Sequence, residues 1–285
     1  MKLTTLHSTQ LRPKTGKVFL VGAGPGDIEL LTLKAARLLA MADVVLIDDL
    51  AGDEVLALCP QARIIHVGKR GGCKSTPQSF IEKLLVREAL AGHAVVRLKG
   101  GDVSLFGRAS EEIFALEAAG IEFEVVPGIT AGLAAAAELK ASLTHRDHAH
   151  GVAFITAHGA EGAEIPWRAL AHSALTLVVY MGVARAALLQ ASLLAGGLSG
   201  DTPVIAVESA SRADTRTVCS TVAAMVNDFA TQQLKSPAVL VIGEAMAERA
   251  SAIAEAAAIA EAAALAEAAA LAESAQLAAG TTRVA

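Results

Sequence analysis

Ala94-Val-Val-Arg-Leu-Lys99 runs directly into Gly100-Gly-Asp-Val-Ser-Leu-Phe-Gly-Arg108. The first six residues read as a buried strand, and the glycine pair marks its end. Adjacent glycines there let a ligand touch the backbone, because neither carries a Cβ. Asp102 adds a carboxylate at that contact, and Arg108 adds a cation one loop further on. Open α/β sheets bind small molecules at the carboxyl ends of their strands, so this junction is the candidate site.

The same pattern extends in both directions. Val18-Phe-Leu-Val21 is a short apolar run ended by the turn Gly22-Ala-Gly-Pro-Gly-Asp27. Asp27 suits a helix N-cap, with Glu29 in the first turn, and a helix is expected over Ile28 to Met41. Strand Val44–Ile47 ends at Asp48-Asp49. Then come strand 64–67, helix 78–91, strand 94–98, helix 110–119 and strand Phe123–Val126. Strand–helix alternation of this kind predicts a mainly parallel sheet with right-handed crossovers. After Pro127-Gly128 a small-residue helix is expected over 131–139, then a charged loop, Thr144-His-Arg-Asp-His-Ala-His150. A second series follows, with strands expected at 152–156, Leu175–Tyr180, 203–207 and Ala238–Ile242. The expected organisation is two α/β domains, 17–143 and 144–246, and a tail, 247–285.

The tail has its own period. Ile253, Ile259, Leu265, Leu271 and Leu277 recur every sixth residue, and Glu255, Glu261, Glu267 and Glu273 do the same. Six residues turn a helix through roughly 240°, so the apolar positions spread around it instead of forming a seam. Alanine favours helix, but no continuous packing face is expected.

Composition narrows the function classes. The 285 residues carry a net charge of −5, which gives no global basic field for nucleic acid. Cys59, Cys73 and Cys219 are few and scattered, which fits a reducing compartment and no disulfide frame. Met1 to Gly16 is polar, without the apolar core of a secretory signal, and no apolar run reaches bilayer-spanning length. A soluble cytoplasmic protein is expected, without a membrane or nucleic-acid partner.

Several residues have two readings. The Gly22/Gly24/Gly26 loop with Asp48 beyond it is near the dinucleotide fingerprint. The spacing is GxGxG, however, Pro25 removes an amide donor, and Asp27 would repel a pyrophosphate. That leaves a tight turn without a ligand or a site for another small molecule. Asp102 is either a turn cap or a ligand contact. Lys69, Arg70 and Lys74 are either a solvated loop or an anion contact, and Met181 is either core or a ligand contact. His145, His148 and His150 lack the thiolate or acidic pattern of a metal site, and none is expected. Cys73 sits in a basic, glycine-rich loop that favours the thiolate, but no paired base accompanies it.

Taken together, GAGPGD at 22–27, Gly68-Lys69-Arg70, RLKGGD at 97–102, FGR at 106–108, VVPGIT at 125–130, LTHRD at 143–147, YMG at 180–182 and the SPA…GE run at 236–244 occur in a characteristic order. Over about residues 17–246 the chain resembles the uroporphyrinogen-III C-methyltransferases of the tetrapyrrole methylase family. The resemblance implies two α/β domains with a cofactor cleft between them. It implies S-adenosyl-L-methionine as methyl donor, S-adenosyl-L-homocysteine as product, and two successive methylations of uroporphyrinogen III to precorrin-2, which feeds sirohaem or cobalamin synthesis. It implies a homodimer. Carried over by motif, the cofactor contacts are Pro25, Gly100, Gly101, Asp102, Leu105, Thr130, Ala131, Met181 and Ala210. Asp48 is the implied proton acceptor and Lys69 the proton donor. Arg70, Arg108, His145 and Arg146 are the implied contacts to substrate carboxylates. The chain departs from the family pattern at Ile47, Val103, Ser104, Ala109 and Ser209, which leaves the charged and glycine positions in place. Two alternatives remain: a methylase of a later corrin intermediate, and a non-catalytic cofactor-binding module.

Overall fold

The computed structural model describes residues 15–68, 76–158 and 165–281, with side chains of the last helix described to 268. The chain divides into two compact units. The first runs to Ala135 and also contains Ser209–Asp214; the second comprises Ala136–Glu208 and Thr215 onward.

The first unit alternates β1 (Val18–Gly22), α1 (Leu33–Leu39), β2 (Val44–Ile47), β3 (Arg63–His66), α2 (Gln78–Leu90), β4 (Val95–Lys99), α3 (Ala109–Ala118) and β5 (Phe123–Val126), and leads into α4 (Ala131–Glu138). The five strands are all parallel, in the order β3-β2-β4-β1-β5. Both faces are covered, as a parallel sheet requires. On one face Leu38 and Leu39 of α1 pack with Val21, Val45, Ile47, Val96 and Leu98. On the other, Ile81, Leu84 and Leu85 of α2 and Leu116 of α3 pack with Leu20, Leu46 and Val95. The helix expected over Ile28 to Met41 is interrupted. Asp27 caps only a 3-10 turn, Ile28–Leu30, accepting the Glu29 N–H; Leu31 and Thr32 are extended, and the Thr32 hydroxyl caps α1 afresh by accepting from Ala35.

The second unit contains β6 (Gly151–Thr156), α5 (Trp167–Ala171), β7 (Leu175–Tyr180), α6 (Ala186–Ala195), β8 (Pro203–Glu208), β9 (Arg216–Thr221), α7 (Met225–Thr231), β10 (Ala238–Ile242) and α8 (Ala247–Thr281). Its sheet has the order β6-β7-β10-β8-β9, and only β6 and β7 are parallel. The mainly parallel sheet expected of the first series is present, whereas the second series pairs mainly antiparallel. For β8 and β9 the physical reason is connection length. A short loop joins β8 to β9, and a hairpin is antiparallel, whereas parallel neighbours need a long crossover. β9 itself, Arg-Thr-Val-Cys-Ser-Thr, carries no apolar run because it is an edge strand. Leu189 and Leu193, with Met225 and Phe229, pack against Leu177, Val179, Val204, Ala206, Leu240 and Ile242.

The tail is helical throughout its described length. Its first turns lie against β8 and β9, with Arg249, Ala250 and Ile253 half-buried, while Ile259 and Leu265 are exposed. A short packed stretch thus exists where no face was expected. A helix of 35 residues is about 50 Å long and overruns the strands it starts against. No helix among the described residues is long and apolar enough to cross a membrane.

Candidate active site at the carboxyl edge of the first sheet

Three loops meet backbone to backbone where β4, β1 and β5 end side by side. The Gly24 N–H donates to the Gly101 carbonyl at 3.1 Å, and the Gly101 N–H donates to the Gly24 carbonyl at 2.6 Å. A Cβ on Gly22 would lie 2.6 Å from the Gly128 nitrogen and 2.7 Å from the Gly101 oxygen. No side chain fits there, so glycine at 22 is a packing requirement. Gly101, at φ +70°, turns the chain after β4 in a conformation that side chains resist.

Asp102 fastens this edge. Its Oδ1 accepts the Ser104 N–H at 2.8 Å, and its Oδ2 accepts the Gly128 N–H at 2.9 Å. Of the two readings open from sequence, the turn cap is therefore present, and it also ties the β4 loop to the β5 loop. A carboxylate has about four acceptor positions, so a ligand ammonium can still be received. Val103, a departure from the family pattern, is fully buried and anchors the loop among the residues of α2 and α3.

Ser209–Asp214 completes the edge. The Ser211 hydroxyl accepts the Asp27 N–H at 3.2 Å, and Arg212 donates to the Leu50 carbonyl at 2.8 Å. A Cβ on Gly26 would fall 2.6 Å from Arg212 Cγ. Ala210 is buried beside these contacts, and Ser209 and Ser211 both have positive φ. Nothing local in the sequence marks Ser211 or Arg212, because their partners lie more than 150 residues away.

Asp48 stands at the end of β2, one strand over. Its Oδ1 accepts N–H groups of Leu50 and Gly100, each at 3.2 Å, and its side chain is 25 % exposed. Behind it lies a buried charge cluster. Arg97 Nη2 is 3.7 Å from Asp48 Oδ2, Arg97 Nε donates to Glu112 Oε1 at 3.0 Å, and Lys99 Nζ donates to Glu112 Oε2 at 2.8 Å. Side-chain exposure is 5 % for Arg97, 3 % for Lys99 and 0 % for Glu112. Burial, with the Arg97 charge second, pulls the Lys99 amine below the usual lysine range, and Glu112 opposes this.

Residues 17–226 match the model of the tetrapyrrole (corrin/porphyrin) methylases. The chain belongs to that family. It is 54 % identical over 230 residues to a uroporphyrinogen-III C-methyltransferase of Pseudomonas aeruginosa, covering 81 % of this chain and 94 % of the relative. It is 46 % identical to a siroheme synthase of Chromobacterium violaceum, covering 81 % of this chain and 50 % of that longer protein. Among solved structures, it is similar to uroporphyrin-III C-methyltransferase of Thermus thermophilus complexed with S-adenosyl homocysteine. That likeness has a TM-score of 0.70 and 41 % identity, and covers 81 % of this chain and 93 % of that one.

The methylase's other motif residues fall into distinct places. Lys69, Arg70, Cys73 and Lys74 lie outside the described residues. Pro25, Gly100, Gly101, Asp102, Leu105, Thr130, Ala131 and Ala210 all belong to the first unit, as do Asp48 and Arg108. Arg108 adopts φ 55° before α3 and forks onto Glu111, with Nε–Oε1 2.8 Å and Nη2–Oε2 2.6 Å. That fork holds the Glu111 carboxyl below the usual range. Met181, His145 and Arg146 belong to the second unit. Met181 directly follows β7, at φ 56° and exposed. The His145 ring stacks on His148 at 4.6 Å and its Nδ1 accepts the Asp147 N–H, while Arg146 is exposed. Among the described residues, no group of three or more His, Cys, Asp or Glu is arranged to hold a metal.

Proposed function

We propose that this methylase transfers two methyl groups from S-adenosyl-L-methionine to uroporphyrinogen III, giving precorrin-2 for sirohaem or cobalamin synthesis. One observation supports this most: the glycine-lined edge, free of side chains at Gly22, Gly24, Gly100 and Gly101, with a carboxylate on either side, Asp102 and Asp48. An adenosine pressed against backbone needs such an edge, and a cationic amino acid moiety needs an acid beside it. Pro25, Leu105, Thr130, Ala131, Met181 and Ala210 are the further contacts in this reading.

The sulfonium supplies an activated methyl group; the chain aligns it with a ring carbon and keeps water away. No protein nucleophile is required. As the ring carbon bonds to the methyl group, the C–S bond breaks and its electron pair stays on sulfur. The methylated ring is then cationic until it sheds a proton. Asp48, anchored by two backbone N–H groups, is the acceptor in this reading, and Lys69 is the donor that balances protons elsewhere on the macrocycle. Arg70, Arg108, His145 and Arg146 receive carboxylates of the polyanionic substrate. The Nε–Nη2 edge of Arg108 is already on Glu111, so a carboxylate meets its Nη1 side or displaces Glu111. The protein acts in the cytoplasm as a homodimer in this reading.

The test is anaerobic incubation with uroporphyrinogen III and isotopically labelled S-adenosylmethionine, with product masses recorded. Two added methyl groups and released S-adenosylhomocysteine are expected. Cofactor binding without methylation of uroporphyrinogen III, or methylation only of a later corrin intermediate, overturns the assignment.

A further inference from the structure

β4 is the middle strand of the first sheet, yet the face it turns to α2 and α3 carries Val95, Arg97 and Lys99. Arg97 pairs in register with Leu20 on one side and Leu46 on the other, both fully buried. Two cations at such positions cost more desolvation than an apolar pair of similar size. Stability therefore does not account for them, and their contacts point to a use.

Two anions lie within 4 Å of the two cations of the cluster, and one of them is Asp48. Arg97 and Lys99 are two cations; Glu112, which both contact, is one anion. The second anion is Asp48, reached through Arg97 Nη2. Arg97 is itself held rigidly, since its Nη1 donates to the Leu98 carbonyl at 2.9 Å and to Leu46 at 3.4 Å. Gln78 of α2 donates to Glu112 Oε1 at 3.3 Å. The other charges nearby are Arg108 and Glu111 at the start of α3, which neutralise each other, and Glu82 of α2. Asp49, beside Asp48, lies against Gly68.

We propose that Glu112 and Lys99 are positioning residues for Asp48: through Arg97 they set both the place and the proton affinity of the carboxylate at the site edge. The Asp48 carboxyl thereby stays at the edge where, in the proposed reaction, the ring becomes cationic on methylation. This rests on the proposed methylation chemistry for its consequence, but not for its electrostatics.

Three variants separate the idea from a merely structural role. Glu112→Gln removes an anion, so the Asp48 carboxyl should titrate lower, by on the order of one pH unit. Lys99→Met removes a cation, so it should titrate higher by a similar amount. The double variant should return it close to wild type. The titration is read by carboxyl 13C NMR, with the Asp48 signal assigned by Asp48→Asn, and the acid limb of the kcat profile should move in the same directions. S-adenosylhomocysteine affinity should stay within about twofold in all three. Shifts of the same sign in both single variants, or no shift in either, overturn the proposal. If a single variant does not fold, the double variant and the other single still give the sign. If the titrations move as stated but wild-type protein methylates no uroporphyrinogen III, the substrate assignment fails and the cluster's role stands.

Discussion

Asp102 fastens two loops at the edge of the candidate site. Its two oxygens hold the Ser104 and Gly128 amides, and the proposed function asks it also to receive the cofactor's ammonium. Asp102→Asn keeps one acceptor oxygen and loses the charge. Cofactor affinity should fall by on the order of 1–3 kcal/mol, measured by titrating S-adenosylhomocysteine calorimetrically. A lowered melting temperature with unchanged affinity would confine Asp102 to the turn. Arg108 poses a different question, because its fork already has a partner in Glu111. Lysine keeps the charge but not the planar fork. Arg108→Lys should raise the apparent KM for uroporphyrinogen III several-fold while leaving cofactor affinity alone; an unchanged KM removes Arg108 from the substrate contacts. The sequence announced both residues through their neighbours, a glycine pair and a Phe-Gly. It did not announce that each is already engaged.

The helices and strands were legible where local chemistry decided them. Val44–Ile47, Phe123–Val126, Leu175–Tyr180 and Ala238–Ile242 are bounded as their apolar runs imply. α1 starts late because Leu31 and Thr32 are extended and end the turn that Asp27 caps, after which the Thr32 hydroxyl caps a new helix. The end of α2 carries a charge cluster that tests local stability. Glu88 is buried under Arg63, Arg87 and His93. Burial works against its charge, but hydrogen bonds from Arg87 and the charge of Arg63 outweigh it, so its carboxyl lies below the usual range. A depressed carboxylate stabilises the fold above its unfolded-state pKa of about 4.3, and the contribution fades as pH falls through the lower folded value. Glu88→Gln should therefore cost about 1–2 kcal/mol near neutrality, and the difference from wild type should shrink in acid. Denaturant melts at pH 7 and pH 3 check this; equal losses at both would show that packing, not charge, is at stake.

At the scale of the molecule, the long C-terminal helix has a packed start followed by exposed side chains over 254–268. Ile253 is half-buried near β8 and β9, whereas Ile259 and Leu265 face outward. Truncation after 254 should leave the melting temperature and turnover nearly unchanged. Truncation after 246 removes Arg249, Ala250 and Ile253 and should destabilise the second unit by about 1–3 kcal/mol through lost apolar burial. Thermal melts and initial rates of the two truncations decide it. A large loss in the longer truncation product would mean that the six-residue repeat has a packing role after all. The recurrence every sixth residue argues against a seam along the helix, since each step rotates the apolar residue to a new face.

Strand–turn–helix punctuation and glycines at strand ends were enough to mark the carboxyl edge of the first sheet as the candidate site, because backbone approach and helix capping act within a few residues. The order of motifs from 22 to 244 was enough to identify the family. Three things needed the folded chain. The antiparallel pairing of β8 with β9 and β10 depends on which strands meet, and a strand's own residues do not carry that direction. The attachment of Ser209–Asp214 to the loops at Asp27 and Leu50 joins parts far apart in sequence. The burial of Arg97 and Lys99 inverts the ordinary reading of charged residues. In a strand their alternation suggests a wet face, and only the arrival of Glu112 from α3 and Asp48 from β2 makes a dry one tolerable, since a buried charge persists only where its counter-charge is brought to it.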